Sequence, residues 1–170
     1  MVRVVPSEER TSVLHVERTT LAAVISQVVA RWLHLPEPYW ATVTAIVVMQ
    51  STLGAAWNVS VKRFAGTALG AFMAGLIASY LPPGIFVFAI TLFATGLICL
   101  GLRLDRTAYR FAGITVVIVM LVAREKTARI IALHRFGEVS LGIAVALMVT
   151  AAWPERFDTA PANEAKQPGT

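Results

Sequence analysis

The apolar residues of this chain are gathered into long blocks, which alternate with short clusters of Arg, Lys, Pro and Gly. A helix needs about 20 largely apolar residues to cross a hydrocarbon core of about 30 Å. Backbone groups in lipid must pair within a helix or a closed barrel, and these blocks lack the alternation of barrel strands. The pattern predicts an all-α membrane protein with six transmembrane helices: Thr19 to Leu35, Tyr39 to Leu53, Phe64 to Leu81, Gly84 to Leu102, Ala108 to Ala123 and Phe136 to Trp153.

Composition supports the same class of protein. Hydrophobic residues make up 56% of the chain and charged residues 15%, whereas a soluble domain has about 45–50% and about 25%. We predict three parts: a cytoplasmic N-terminal segment (1–17), a six-helix domain (18–154) and a disordered cytoplasmic tail (155–170). The residues before the first block mix acidic and basic side chains without an apolar core, so we expect no cleavable signal peptide.

The distribution of cations predicts the orientation of the helices. With a cytoplasmic N-terminus, ten Lys and Arg residues fall on the cytoplasmic side and five on the other, so the positive-inside rule places both termini in the cytoplasm. The exception is the segment from Arg124 to His134, for which an interfacial or partly re-entrant position is the alternative. Because the cations lie at helix ends without a basic arm, we expect no nucleic-acid partner.

An internal repeat relates the two halves of the chain. The segment that begins at Arg63 matches the one that begins at Arg135 at its Arg, Phe, Leu and Gly, with an offset of 72 residues. Because each unit holds three helices, the copies would cross the membrane in opposite directions, as inverted transporter repeats do. The short second and fifth blocks are then candidates for interrupted helices beside a substrate, or are simply short. At an offset of 71 residues, four residues of the second block match the fifth: Ala41, Thr44, Val48 and Met49 fall on Ala112, Thr115, Val119 and Met120.

Several polar and small residues inside the blocks are candidates for a role. Gln27 lies on a polar stripe of the first helix and is a candidate for lining a lumen. Glu138 is the one carboxylate inside a predicted span, so it is the candidate proton-coupling group; an interfacial ion pair with Arg135 is the alternative. Three glycines form ridges of small residues that favour close helix packing: Gly66, Gly70 and Gly142.

The sequence lacks the signatures of an enzyme. His15, His34 and His134 lie in different segments, and the single Cys99 lies inside the fourth block, where packing is its expected role. There is no nucleophile elbow, zinc-protease motif or phosphate loop. We therefore expect no catalysis, no cofactor, no metal and no disulfide framework.

One stretch resembles a known family. Residues Pro38 to Ala55 read PYWATVTAIVVMQSTLGA, and Lys62 to Ala71 read KRFAGTALGA. They are similar to the signature of the fusaric acid resistance (FUSC) and aromatic acid exporter group, a helix of the form YWA.lTa..v.qpslG followed by R..GT..Ga. Arg135 to Ala144 resembles the second-half counterpart. Ser51 stands where many relatives have Pro, and most full-length exporters carry a further soluble or membrane domain.

The resemblance implies an exporter of aromatic or other organic carboxylates in the bacterial inner membrane. It also implies a homodimer and, in some systems, a periplasmic adaptor. The alternatives are a passive organic-anion channel and a non-transporting membrane module that assembles with or regulates a partner.

Arginine and aromatic residues supply the candidate substrate site. Arg offers carboxylates a planar, bidentate fork. We expect a turn from Gly54 to Ser60 and the start of the third helix at Lys62, which we interpret as a topological charge. Aromatic residues at helix ends suit stacking on an aromatic substrate or, alternatively, the interfacial belt. The candidate substrate-binding residues are Arg63, Arg135, Gln50, Gln27, Tyr39 and Trp40.

Overall fold

A computed structural model of the chain describes residues 7–82, 84–122 and 128–153, which are helical with short connections. The predicted C-terminal tail and the residues from Arg124 to Lys126 lie outside the described residues. The six α-helices are α1 (Ser7–Trp32), α2 (Tyr39–Val48), α3 (Leu53–Tyr80), α4 (Ile85–Gly101), α5 (Arg106–Val117) and α6 (Ala128–Ala152). The all-α prediction is confirmed for the described part of the chain.

Helix length divides these elements into two groups. In the described residues, three helical segments are long and apolar enough to cross a membrane: Val13–Trp32 of α1, α3 and α6. Helices α2 and α4 are apolar but shorter. At about 1.5 Å of rise per residue, α2 covers only about 15 Å and α5 about 18 Å. Helices α2 and α5 correspond to the second and fifth blocks, which the sequence singled out as short.

The expected start of α3 is wrong. Residues 54–60 form no turn, because Thr52 caps the helix: its hydroxyl accepts the N–H of Ala55 at 3.2 Å, and α3 begins at Leu53. Arg63 therefore lies well inside the helix. Helix α6 likewise begins at Ala128, earlier than predicted, so Arg135 and Glu138 also lie inside a helix rather than near its start.

Helices α2 and α5 both end within an apolar stretch of the sequence. Helix α2 stops at Val48, since Met49 adopts an extended backbone (φ −58°, ψ 121°). Helix α5 changes after Val117 into a π-helical segment, Ile118–Val122. Wider turns of this kind often mark functional positions.

Contacts between the helices follow one plan in both halves. Helix α3 packs against α5, and α6 packs against α2. Helix α1 contacts α2 and α6, while α4 contacts α5 and α3. Helices α3 and α6 also pack against each other, and the rings of Phe64 and Phe136 lie 4.9 Å apart between them. The first half of the chain is α1 to α3 and the second is α4 to α6. The short helix of each half, α2 or α5, thus packs against the long helix of the other half, α6 or α3.

Glycines bring these helices into backbone contact. A methyl group at Gly70 would collide with the Ala112 carbonyl and lie 2.9 Å from the Cα atom of that residue. At Gly142 it would collide with the Ala41 carbonyl and lie 2.6 Å from the Thr44 Cβ atom. Two helices without side chains between them approach closely enough for dispersion contacts along their backbones. Gly66 is in similar contact with the Ala108 carbonyl.

Helices α1 and α4 end in the same motif. His34 and Arg103 have left-handed backbones, with φ 53° and 54°. The N–H groups of the residues that follow them, Leu35 and Leu104, reach back to the carbonyls of Ala30 and Cys99 at 3.0 and 2.9 Å. This is the Schellman pattern of helix termination, here on residues other than glycine.

We expect Gly142→Ala to destabilise the fold. The added methyl group meets backbone and a buried Thr, and overpacking of this kind costs about 1–3 kcal/mol. The measurement is the midpoint of thermal unfolding in a fixed detergent. Gly137→Ala, in the same helix and with no atom within 4 Å of the added group, is the control and should leave the midpoint unchanged or slightly higher. Equal midpoints for the two variants would contradict the packing described.

Candidate functional site

Charged side chains are buried where the start of α2 meets α3 and α6. Arg63 is 5% exposed, Arg135 2% and Glu138 1%. Charges removed from water are costly unless they are paired or satisfied. The partners of these three side chains therefore define what the site does.

Arg135 lies flat on an aromatic ring. Its guanidinium carbon is 3.4 Å from the centroid of the Trp40 ring. Nε and Nη1 of Arg135 are buried and have no hydrogen-bond partner in the described part of the chain. The site thus holds a fixed cation with donors that are left unused.

Arg63 is held from two sides. Its Nε and Nη2 atoms donate to the hydroxyl of Thr44 at 3.2 and 3.0 Å, and its guanidinium carbon lies 4.7 Å from the Phe111 ring centroid. The Thr44 hydroxyl in turn donates to the Trp40 carbonyl at 2.8 Å. Trp40, whose ring supports Arg135, therefore links the two arginines.

Glu138 does not pair with Arg135. Its Oε1 atom accepts the backbone N–H of Glu37 at 3.0 Å, and the Glu37 side chain accepts the Trp40 indole N–H at 2.9 Å. Between Arg135 and Glu138 there is no salt bridge, although both are described. The ion pair that the sequence left open as an alternative is therefore absent. Glu138 instead fixes the loop before α2, and Glu37 fixes the ring under Arg135.

The remaining predicted residues lie around this cluster or away from it. The Gln27 amide hydrogen-bonds the Thr42 hydroxyl at 2.7 Å, so it joins α1 to α2. Tyr39 is half exposed, with its ring 5.3 Å from the Trp40 ring. Gln50 follows the far end of α2, and its carbonyl accepts from Arg18 at 3.4 Å. The structure brings together Arg63, Arg135, Trp40 and Glu138, with Gln27 one helix away and Gln50 outside the cluster.

Lys62 has a specific partner, contrary to expectation. Its Nζ atom lies 2.5 Å from Oδ2 of Asp105, the residue before α5. The pair is partly exposed, so its energy is at most about 1 kcal/mol. Lys62 ties the middle of α3 to the start of α5 rather than serving as a charge at a helix end.

Sequence reasoning missed three residues of the cluster. Thr44 stood in the repeat and in the family motif without an assigned role, and Phe111 was not singled out. Glu37 lies between two prolines and has the signature of a turn, which gave no hint that it holds Glu138 and Trp40. Among the described residues, no group of three or more His, Cys, Asp or Glu is placed to hold a metal ion.

The apolar helices and the buried cluster define a multi-pass membrane protein. Residues 21–149 match the model of the fusaric acid resistance protein-like family. The chain therefore belongs to that family, as the motif around Trp40 and Arg63 predicted.

Curated relatives come from enteric bacteria. The inner membrane protein YeeA of Escherichia coli K12 is 31% identical over 150 residues, which cover 85% of this chain and 42% of YeeA. The uncharacterized transporter YdhK of the same strain is 43% identical over 63 residues, 37% of this chain and 9% of YdhK. The chain thus spans less than half the length of these relatives. No solved structure matches it.

We expect the ring of Trp40 to stabilise the buried Arg135. Trp40→Phe keeps an aromatic face and loses the indole hydrogen bond, whereas Trp40→Leu also loses the cation–π contact, worth about 2 kcal/mol when desolvated. The thermal midpoint should therefore be lower for Trp40→Leu than for Trp40→Phe. The control is Trp57, which is 61% exposed, where Phe and Leu should give equal midpoints. No difference at Trp40 would contradict the stacking.

Proposed function

We propose that this chain is the membrane domain of a transporter that exports organic carboxylates, aromatic ones among them, across a bacterial inner membrane. The observation that carries the proposal is the buried guanidinium of Arg135, with two unused donors and an aromatic ring beneath it. A carboxylate is the ligand that matches this group in charge and geometry.

The cost of the buried donors argues for a ligand. A buried polar group without a partner costs about 1–3 kcal/mol, and more when it is charged. A carboxylate that accepts from Nε and Nη1 of Arg135 would remove that cost by giving both donors a charged acceptor. Arg63 adds a second positive charge, which Thr44 holds in place. Desolvated cations of this kind bind anions strongly because the local dielectric is low.

The architecture we propose is two inverted three-helix repeats with six membrane crossings. Contacts recur at the offsets found in the sequence: Arg63 faces Phe111 as Arg135 faces Trp40. Gly70 lies against Ala112 as Gly142 lies against Ala41. Three helices per repeat reverse the direction of the second copy, and substrate sites in such folds lie between the repeats. The arginine cluster is made by both halves and fits that position.

The relatives and the charge distribution support the cellular setting. One relative is named an inner membrane protein and another a transporter. The excess of cations on one side supports cytoplasmic termini. Export, rather than import, rests on the resemblance to the exporter group.

Glu138 is the proposed proton-coupling group. It lies three residues from Arg135 on the same helix, so an anion bound to Arg135 would be close to a second negative charge. Two like charges in a buried site repel strongly, and protonation of Glu138 removes the repulsion. Anion binding and proton binding therefore favour each other, so the anion and a proton cross together, and export runs down the anion's own concentration gradient.

The Arg135 site predicts a flux phenotype. Purified protein in liposomes should carry p-aminohippurate, an aromatic carboxylate that crosses bare lipid poorly, and Arg135→Gln should lower the flux at least about tenfold, since a hydrogen bond to a charged group contributes about 1.5–3 kcal/mol. Arg135→Lys keeps the charge but loses the fork, so intermediate flux is expected. Arg106→Gln, at an exposed first residue of α5, is the matched control and should transport normally.

Other outcomes of the flux assay separate the alternatives. Wild-type flux no greater than that of empty vesicles would overturn the transport proposal in favour of a partner module. Normal flux through Arg135→Gln would remove Arg135 from the substrate path while leaving transport itself in place.

The coupling proposal predicts a change in pH dependence. In liposomes with an alkaline interior, wild-type protein should accumulate p-aminohippurate, an aromatic carboxylate too polar to cross lipid readily, and Glu138→Gln should abolish accumulation while passive exchange continues. The control is Glu17→Gln, at an exposed position of α1, which should accumulate p-aminohippurate normally. Unchanged accumulation by Glu138→Gln would exclude Glu138 as the coupling group, and exchange without accumulation by the wild type would favour a passive channel.

A further inference from the structure

An apolar groove runs between the end of α3 and the start of α6, away from the arginine cluster's polar atoms. Its volume is about 420 Å³. Phe72, Leu76 and Leu133 line it with exposed apolar side chains, and it reaches Phe136 at its inner end. Among the described residues that line it, Arg129 is the one with a charge. From Arg129 to Phe136 the groove follows α6 for about 10 Å.

Arg129, near the start of α6, is held in position by a hydrogen bond to α3. Its Nε atom donates to the Ser79 hydroxyl at 2.9 Å, and that hydroxyl donates to the Gly75 carbonyl at 2.6 Å. Among the described residues no carboxylate pairs with Arg129. The guanidinium is thus oriented by Ser79, while no partner among the described residues occupies its terminal nitrogens.

The groove opens at the level of the helix ends. Ser79 is one residue before the end of α3, and Arg129 is one residue after the start of α6. Tyr80, exposed beside Ser79, is typical of the membrane–water interface. The cation therefore lies at the depth of lipid headgroups, and the apolar part of the groove lies at the depth of acyl chains.

A second groove between the same two helices lacks this chemistry. It lies between the start of α3 and the end of α6, with a volume of about 600 Å³, and its lining includes Trp57 and Ala151. At the repeat offset of 72 residues, Trp57 corresponds to Arg129 and Ala151 to Ser79. Comparable grooves thus exist at both ends of the helix pair, and among their described lining residues a positioned cation occurs only in the first.

We propose that the first groove binds one anionic phospholipid, with its phosphate on Arg129 and an acyl chain along Phe72, Leu76 and Leu133. Charge decides between a lipid and a second copy of the chain. A copy packed on this face would cover Arg129, whereas a phospholipid offers an anion and an apolar chain at the required separation. The site is independent of the proposed transport function.

Native mass spectrometry of the purified full chain in detergent tests the lipid site. The probes are dioleoyl phosphatidylglycerol and dioleoyl phosphatidylcholine, which differ in headgroup charge and share their acyl chains. One cation near a headgroup is worth about 1 kcal/mol, so the wild type should retain the anionic lipid about fivefold more. Arg129→Gln should bring the ratio near one, and Arg106→Gln should keep the wild-type ratio.

Several results would overturn the proposal. One is an equal preference for the two lipids in the wild type, and another is a preference that survives Arg129→Gln. Displacement of the lipid by soluble glycerophosphate would show that the acyl chain contributes nothing. A lipid-free dimer that Leu133→Arg converts to a monomer, with the lipid ratio unchanged, would assign the groove to a second copy. Because Arg129 is exposed, its replacement should leave the thermal midpoint unchanged, which checks the folding of the variant.

Discussion

Gly70 and Gly142 bring α3 and α6 into backbone contact with the two short helices, and the positions of the buried charges follow from that contact. Lipid gives helices no hydrophobic reason to associate, so close packing and buried hydrogen bonds must do so. With α2 against α6, Trp40 comes to lie under Arg135. With α5 against α3, Phe111 comes to lie beside Arg63. A side chain at either glycine would separate the aromatic ring from its cation.

The two halves differ at the site, although they share the plan. Arg63 donates to the Thr44 hydroxyl, whereas Nε and Nη1 of Arg135 have no hydrogen-bond partner among the described residues. The hydroxyls of Thr44 and of its equivalent Thr115 each donate to a carbonyl of their own helix. Glu138 occupies the position that corresponds to Gly66 in the first half. The second half therefore holds both the unsatisfied cation and the buried acid. In the function we propose, this asymmetry makes Arg135 the arginine that donates to the carboxylate, with Arg63 as a second positive charge beside it.

Helix type and family were predictable because they depend on local pattern. The bounds of α4 were predicted to within one residue at each end, since Pro and Gly mark them. The starts of α3 and α6 were placed too late because polar residues were taken as the end of a span. In the structure those residues continue the helix, as the cap at Thr52 allows. Hydropathy measures the fit to lipid, whereas helix length is set by backbone hydrogen bonding and caps.

By itself the sequence determined the membrane class and the family. It also identified Arg63, Arg135 and Glu138 as candidate site residues and the glycine ridges as packing positions. Those follow from residue type and spacing along one helix. Tertiary structure alone decided that Arg135 stacks on Trp40, that Glu138 binds the loop at Glu37, and that Gln50 lies elsewhere. Each of these contacts joins residues far apart in the chain. Whether their side chains meet depends on how closely the helices pack, and no local sequence pattern predicts that.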